Sequence, residues 1–108
     1  MISRLLCVGG LLLACSFPSH AQDAKAGRDK ARMCTVCHGD LGIAVAPNAP
    51  NLAGENAAYI ANQLKAFKSG KRQHEQMTII ASGLSNEDIA DLASWFSKIK
   101  IEATAPDL

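Results

Sequence analysis

Two cysteines and a histidine stand within five positions of this sequence, in the stretch Cys34-Thr35-Val36-Cys37-His38. Cys-x-x-Cys-His is the attachment signature of c-type haem. Each thiol can add to one vinyl group of the porphyrin to form a thioether, and two intervening residues let the backbone span the distance between the vinyls. His38 then lies beneath the iron, where its Nε2 can serve as an axial ligand. The motif therefore predicts one haem c bound covalently through Cys34 and Cys37.

Three other kinds of site could use these residues, and the rest of the sequence disfavours each of them. A zinc site needs two further ligands at suitable spacing, but after residue 21 the chain has one other histidine, His74, and no second cysteine pair. A thioredoxin-like dithiol follows a strand in a βαβ unit, whereas the flanks here have helical patterns. A plain structural disulfide would not require His38. Haem attachment is the interpretation that uses the whole motif.

The opposite face of a haem iron would take a methionine, a histidine or no ligand. Met33 directly precedes Cys34 and would stay on the His38 side of the ring. Met77 lies about forty residues further on, after a second predicted helix, where the chain has crossed over the haem. His74 is three residues earlier and could also reach the iron, while Met77 could instead be ordinary core filling, as methionines often are. The residues alone leave these alternatives open.

The elements that must position these groups are helical. Ile60, Leu64 and Phe67 recur at the spacing of one helix face, and no stretch alternates with the period of a strand. Ser85 and Asp88 have the spacing of a capping box at the start of a last helix. We therefore expect an all-α domain of about four helices, over residues 24–33, 56–68 and 76–82 and from residue 85 onward.

Two features suggest that this small domain is built around something large. Residues 39–54 contain three glycines and two prolines, and a loop this long inside a compact domain needs an organiser, such as a bulky ligand. Gly27 lies inside the first predicted helix, where glycine costs about 1 kcal/mol against alanine. Because Gly27 shares a face with Ala31, we expect another helix to approach closely there.

The beginning of the chain has the layout of a secretory signal. A basic start is followed by an apolar run of about ten residues and by small residues ahead of Ala21, so we expect residues 1–21 to be a signal peptide cleaved after Ala21. Residues 22–108 then form one domain in the periplasm. Leu12-Leu13-Ala14-Cys15 offers a second route, in which Cys15 is acylated and tethers the domain to a membrane.

The charge of the chain gives no reason to expect nucleic acid as a partner. The chain has 108 residues and a net charge of +1, so nothing favours nucleic acid. The local excess of positive charge is at Lys65, Lys68, Lys71 and Arg72. It has the composition of a solvated helix end, but Arg72 or Gln63 could instead hold a haem propionate, and the lysines could steer an acidic redox partner.

The segment after residue 21 resembles the class I cytochromes c in their small bacterial form, over nearly its whole length. That family is all-α, with about four helices packed around one covalently bound haem. The resemblance is carried by five stretches: Cys34-Thr35-Val36-Cys37-His38-Gly39, Pro50-Asn51-Leu52-Ala53-Gly54, residues 63–72, Met77 with Ala81, and Leu84-Ser85-Asn86-Glu87-Asp88-Ile89.

The resemblance implies specific roles for individual residues. Met77 would ligate the iron through its sulfur, opposite His38. The carbonyl of Pro50 would accept a hydrogen bond from Nδ1 of His38 and so fix the orientation of the ring. Gly27 would pack against aromatic side chains of the last helix, for which Trp95 and Phe96 are the candidates.

The resemblance also implies an electron carrier rather than an enzyme. Both axial positions of the iron would be filled, and no catalytic acid, base or nucleophile stands out in the sequence. The expected partners are larger redox proteins, a dehydrogenase or an oxidase, and we expect a monomer. Two alternatives are a haem-based gas sensor whose methionine leaves the iron, and a dedicated cytochrome subunit of one dehydrogenase or oxidase.

Overall fold

The computed structural model describes residues 22–108, and that part of the chain is helical without a strand. The predicted all-α class is confirmed. The four predicted helices are present, and a further single helical turn holds the cysteine motif. In chain order the elements are α1 (Ala24–Lys30), a 3-10 helix (Ala31–Met33), α2 (Thr35–His38), α3 (Ala57–Ser69), α4 (Glu75–Ser82) and α5 (Asn86–Lys98).

The first helix is shorter than the sequence predicts. It is α-helical only to Lys30, and residues 31–33 tighten into a 3-10 turn, where the N–H of Cys34 donates to the carbonyl of Ala31 at 2.8 Å. Such tightening is common at the end of an α-helix, since it satisfies a carbonyl that has no partner four residues on. It separates α1 from the short helix that carries the cysteine motif.

Helices α1 and α5 cross at Gly27, where their backbones are in direct contact. A Cβ added to Gly27 would lie 2.0 Å from the carbonyl oxygen of Asp91 and 3.0 Å from Cβ of Trp95. The expected close approach and the contact with Trp95 are confirmed. Phe96 is not among the nearest neighbours of Gly27; it lies instead against Gly42, where an added Cβ would come within 3.0 Å of its Cδ1.

Polar contacts fasten the start of α1 to the same helix. The N–H of Asp23 donates to Oδ1 of the buried Asp91 at 2.8 Å. The side chain of Asp23 in turn caps α1 by accepting from the N–H of Lys25 at 2.8 Å. The guanidinium of Arg28 lies 5.8 Å from the ring centroid of Trp95, whose buried Nε1 has no hydrogen-bond partner among the described residues. The first and last helices therefore form one unit.

The core lies where α3, α4 and α5 meet. Its largest fully buried side chains are those of Ile89 and Leu92, both on the inner face of α5. Burial of a side chain of this kind stabilises a domain by about 1.5–3 kcal/mol. The buried cluster consists of Ala31, Ile60, Leu84, Ile89, Leu92, Ala93 and Phe96.

Local signals at the helix ends place the boundaries. Asn56 caps α3 by accepting from the N–H of Tyr59 at 3.1 Å, and Gly70 ends that helix in the left-handed conformation, with φ of 79°. At α5, Oγ of Ser85 accepts from the N–H of Asp88 at 3.0 Å, and Asp88 accepts from the N–H of Ser85 at 2.9 Å. The predicted capping box is therefore present.

The long segment between α2 and α3 is ordered by its own hydrogen bonds. The N–H groups of Val45 and Ala46 both donate to the carbonyl of Cys37, at 3.0 and 3.1 Å. Further along, the N–H groups of Leu52 and Ala53 donate to the carbonyl of Gly42, at 2.7 and 3.0 Å. These bonds fold the segment back onto α2 and bring Pro50 close to the cysteine motif.

Candidate functional site

A cleft of about 320 Å³ lies between α2, the segment after it, and helices α3 to α5. This volume is within the range of small-molecule and cofactor sites. Cys34, Cys37 and His38 line the cleft, and so does Met77 of α4. Most of the remaining wall is apolar, and it includes Leu52, Ile60, Leu64, Phe67, Ile80 and Leu92.

His38 is held in one orientation and one tautomer. Its side chain is buried, with 7% exposed, and Nδ1 lies 2.8 Å from the carbonyl oxygen of Pro50. A carbonyl can only accept a hydrogen bond, so Nδ1 carries a proton, and in the neutral ring this leaves the lone pair on Nε2. Metal-bound imidazoles in proteins are fixed in this way. The contact between Pro50 and His38 that the resemblance implied is therefore present.

Gly39 lets the chain turn directly after this histidine. Its φ is 77°, a conformation that side-chain-bearing residues rarely adopt, and an added Cβ would lie 2.0 Å from the carbonyl oxygen of Ile43. The turn starts the segment that returns Pro50 to His38. A glycine is therefore required at position 39 by the conformation of the backbone and by the close contact with Ile43.

Cys34, at the N-cap of α2, and Cys37, inside that helix, present two free thiols to the cleft. Burial raises the pKa of the Cys34 thiol to about 11, so this thiol stays protonated at neutral pH. Two unpaired thiols at one cleft can each form a covalent bond to a ligand that fills it.

Met77 is half-buried in the first turn of α4, and it lines the same cleft as His38. The helix begins at Glu75 rather than at Gln76 as the sequence suggested. His74 precedes it, and its Nδ1 accepts from the N–H groups of Gln76 and Met77 at 3.2 and 3.3 Å.

Sequence reasoning missed this role of His74. The sequence offered His74 only as a possible iron ligand; its side chain is exposed and also lines the cleft. One signal in the sequence could have revealed this cap: residues 71–77 contain no serine, threonine, asparagine or aspartate, which are the usual N-cap residues.

Arg72 is placed at the edge of the cleft by contacts on two sides. Its guanidinium lies 4.6 Å from the ring centroid of Phe67, and Nη1 donates to Oε1 of Gln63 at 2.7 Å. Both Arg72 and Gln63 line the cleft. The neighbouring Lys68 has a different role, because its Nζ donates to the backbone carbonyl of Leu84 between α4 and α5.

An all-α domain with two thiols, a fixed imidazole and a thioether around one apolar cleft has the features of a haem-binding protein. The family model for cytochrome c matches residues 24–100, and the chain belongs to that family. Cys34 and Cys37 fit the haem-binding motif of the family, whose cofactor is covalently bound haem c. The protein is thus a c-type cytochrome that acts in electron transfer, as a carrier and not as an enzyme.

Relatives and solved structures agree with this assignment. Cytochrome c-554(548) of Halomonas halodenitrificans is 46% identical over 80 residues, which cover 71% of this chain and 96% of the relative. Cytochrome c4 of Pseudomonas aeruginosa is 39% identical over 107 residues, covering 99% of this chain and 51% of the relative. The structure of reduced recombinant cytochrome c4 from Pseudomonas stutzeri aligns with a TM-score of 0.69 and 38% identity, over 74% of this chain and 47% of that one.

The chain therefore spans nearly all of the first relative and about half the length of the cytochromes c4. Among residues 22–108, no helix has the length and apolar character that a membrane span requires. The predicted signal peptide and Cys15 lie outside the described residues.

The residues of the cleft also fit haem by their chemistry. Two unpaired thiols are separated by two residues, the lone pair on Nε2 of His38 remains available, and the thioether of Met77 belongs to the same cleft. An apolar wall suits the face of a porphyrin, and a cation at the edge suits its carboxylates.

Proposed function

We propose that this protein is an exported one-electron carrier whose haem is linked to Cys34 and Cys37 and ligated by His38 and Met77. One observation supports this assignment above the others: all four side chains line one cleft, and Nδ1 of His38 is already bonded to the carbonyl of Pro50. Haem bound there supplies an Fe(II)/Fe(III) couple that exchanges single electrons with redox partner proteins.

The residues around the cleft would set the conditions of that exchange. Pro50 keeps the proton on Nδ1 of His38 and so keeps Nε2 available as a ligand. The thioether of Met77 favours the ferrous state and raises the reduction potential. The apolar wall excludes water and disfavours the additional positive charge of the ferric state. With His38 and Met77 both bound to the haem, little of the surrounding protein would have to move during electron transfer.

Arg72 is suited to bind a haem propionate. Its guanidinium is already held by the ring of Phe67 and by Oε1 of Gln63, at 4.6 and 2.7 Å. An arginine that is fixed in advance loses less rotamer freedom when it binds a carboxylate. Gln63, which lines the cleft beside it, is the second candidate for the same group.

The residue pattern of the first 21 positions supports export. We propose cleavage after Ala21 and attachment of the haem in the periplasm, with acylation of Cys15 as the alternative that would tether the domain to a membrane. The partners would be larger redox proteins, a dehydrogenase or an oxidase, and the carrier would work as a monomer. A subunit dedicated to one such enzyme would instead co-purify with it.

The mass of the purified protein tests attachment and export together. We expect the chain from Gln22 to Leu108 plus one haem, and we expect the haem to stay on the polypeptide after extraction with acidified acetone. Loss of the colour to the solvent would contradict the two thioether links. A chain that starts at Cys15 and carries the additional mass of a lipid would instead show that the domain is tethered to a membrane.

Substitution of Met77 tests the ligand set. Met77→Ala should lower the midpoint potential, because the axial ligands of a haem set its potential over a range of roughly 0.8 V. The ferrous form of this variant should also bind carbon monoxide. Met33→Ala is the matched control, since Met33 also lines the cleft but directly precedes the cysteine motif and is about half exposed, at 49%; its potential should change far less than that of Met77→Ala, and its ferrous form should still exclude carbon monoxide. An unchanged potential in Met77→Ala would remove Met77 from the ligand set. Ready binding of carbon monoxide by the wild type would favour a gas sensor.

A further inference from the structure

Helix α4 begins with an unusual cap. The backbone of His74 is extended, with φ of −153° and ψ of 136°, and its Nδ1 accepts from the N–H groups of Gln76 and Met77 at 3.2 and 3.3 Å. The first N–H groups of a helix have no partner within the helix. Because both donors are backbone N–H groups, Nδ1 is unprotonated and the ring is the neutral tautomer with its proton on Nε2.

The capping ring is itself fixed by its neighbours. Its centroid lies 6.5 Å from that of Phe67, with the two planes at 72°. The N–H of His74 donates to Oγ1 of Thr78 at 2.9 Å, and the N–H of Thr78 returns to the carbonyl of His74 at 3.0 Å. The buried Phe67 belongs to α3. The first turn of α4 is therefore closed on itself and also packs against α3 through Phe67.

We propose that His74 is a positioning residue that holds Met77 in the cleft. Met77 is the third residue of α4, and helix ends fray unless they are capped. The bond from the N–H of Met77 to Nδ1 fixes the backbone from which the thioether reaches into the cleft. This inference rests on the proposed ligation by Met77. It assigns to His74 the task of keeping that ligand in place against water or an added ligand.

The substitution His74→Asn distinguishes a role of His74 as a helix cap from a role as an iron ligand. The Oδ1 of asparagine can accept from the same two N–H groups, and asparagine is among the preferred caps. It cannot replace an imidazole as an iron ligand. His74→Asn should therefore preserve the function of a cap and abolish the function of a ligand, whereas His74→Ala should abolish both.

The experiment measures how easily added imidazole displaces the ligand of the ferric holoprotein. The loss of a cap at the start of α4 should make imidazole bind roughly five- to tenfold more tightly in His74→Ala, and the optical band of the methionine–ferric bond should weaken. His74→Asn should stay within about twofold of the wild type, since its cap is retained. Gln73→Ala, a change at the neighbouring exposed residue, should behave as the wild type does. Haem content by absorbance should be equal in all of them.

The outcomes distinguish this inference from the assignment of Met77. If Met77→Ala binds imidazole no better than the wild type, the ligand assignment itself is wrong. If Met77→Ala gains affinity and His74→Ala does not, only the positioning role is overturned. If imidazole binds equally more tightly to His74→Asn and His74→Ala, the imidazole ring itself is required rather than its function as a cap. This result would also overturn the positioning role.

Amide exchange in the wild-type holoprotein gives an answer even if His74→Ala does not fold. The amides of Gln76 and Met77 lie in the first turn, where uncapped N–H groups exchange nearly as fast as in an unfolded chain. With the cap in place, we expect both amides to exchange at least tenfold more slowly than unstructured amides. Exchange at the unstructured rate would overturn the proposal.

Discussion

Gly27→Ala is the substitution that the contact between α1 and α5 should tolerate least. The added Cβ would lie 2.0 Å from the carbonyl oxygen of Asp91 and 2.5 Å from its carbonyl carbon, both backbone atoms that cannot rotate away. Ordinary van der Waals contact begins near 3.4 Å, so the two helices would have to separate by about 1.4 Å, the difference between 3.4 and 2.0 Å.

That separation would act on the contacts that join the two helices. Overpacking costs about 1–3 kcal/mol, and loss of the bond from the N–H of Asp23 to Asp91 adds about 1 kcal/mol. The higher helix propensity of alanine stabilises the folded state by about 1 kcal/mol and offsets part of this loss. We expect the free energy of unfolding to fall by about 2 kcal/mol, which corresponds to a decrease in Tm of about 8–16 °C for a domain of this size.

Unfolding of the holoprotein in guanidinium chloride, followed by circular dichroism, measures this change. Gly83→Ala is the matched control, because the nearest atom to its added Cβ is the carbonyl oxygen of Ile80 at 3.7 Å and its φ of −85° suits any residue. The control should be neutral or more stable by up to about 1 kcal/mol. A Gly27→Ala protein as stable as the wild type would refute the close contact of α1 with α5.

Two further predictions concern the start of α5. Ser85→Ala removes the acceptor for the N–H of Asp88 and should lower the free energy of unfolding by about 1 kcal/mol, whereas Ser69→Ala, on an exposed residue, should change it by less than about 0.5 kcal/mol. The backbone N–H of Ser85 and then the side chain of Lys30, 3.0 Å away, lower the pKa of Asp88. Its contribution to stability is therefore complete above its ordinary pKa of about 4 and is lost as the pH falls through the lowered value. Asp88→Asn should reduce the loss of stability on acidification; an acid-induced loss equal to that of the wild type would contradict this.

Features with a local signature were predictable from the sequence. The capping box at Ser85, the left-handed stop at Gly70 and the close approach at Gly27 each depend on one or two residue types in a fixed position. The covalent motif is equally local, since it needs only two cysteines and a histidine at fixed spacing. These features set the fold class and one side of the cleft.

Features made by backbone carbonyls were not predictable in the same way. The segment after the motif is ordered by hydrogen bonds to the backbone carbonyls of Cys37 and Gly42. Every residue has such a carbonyl, so the residue types do not indicate which carbonyls accept these bonds. The bond from His38 to Pro50 was expected only because of the resemblance to a family. The beginning of α4 escaped because an exposed histidine does the work that serine or aspartate usually does.

The one tryptophan of the chain, Trp95, lies where the first helix crosses the last. Its Nε1 is shielded, and its neighbours Leu92 and Phe96 on the same helix line the cleft. A haem bound in the cleft would quench the emission of this indole, so we expect low fluorescence in the folded holoprotein and a rise when α5 separates from the haem on unfolding. The intrinsic fluorescence of Trp95 would then report unfolding of the holoprotein without an added label.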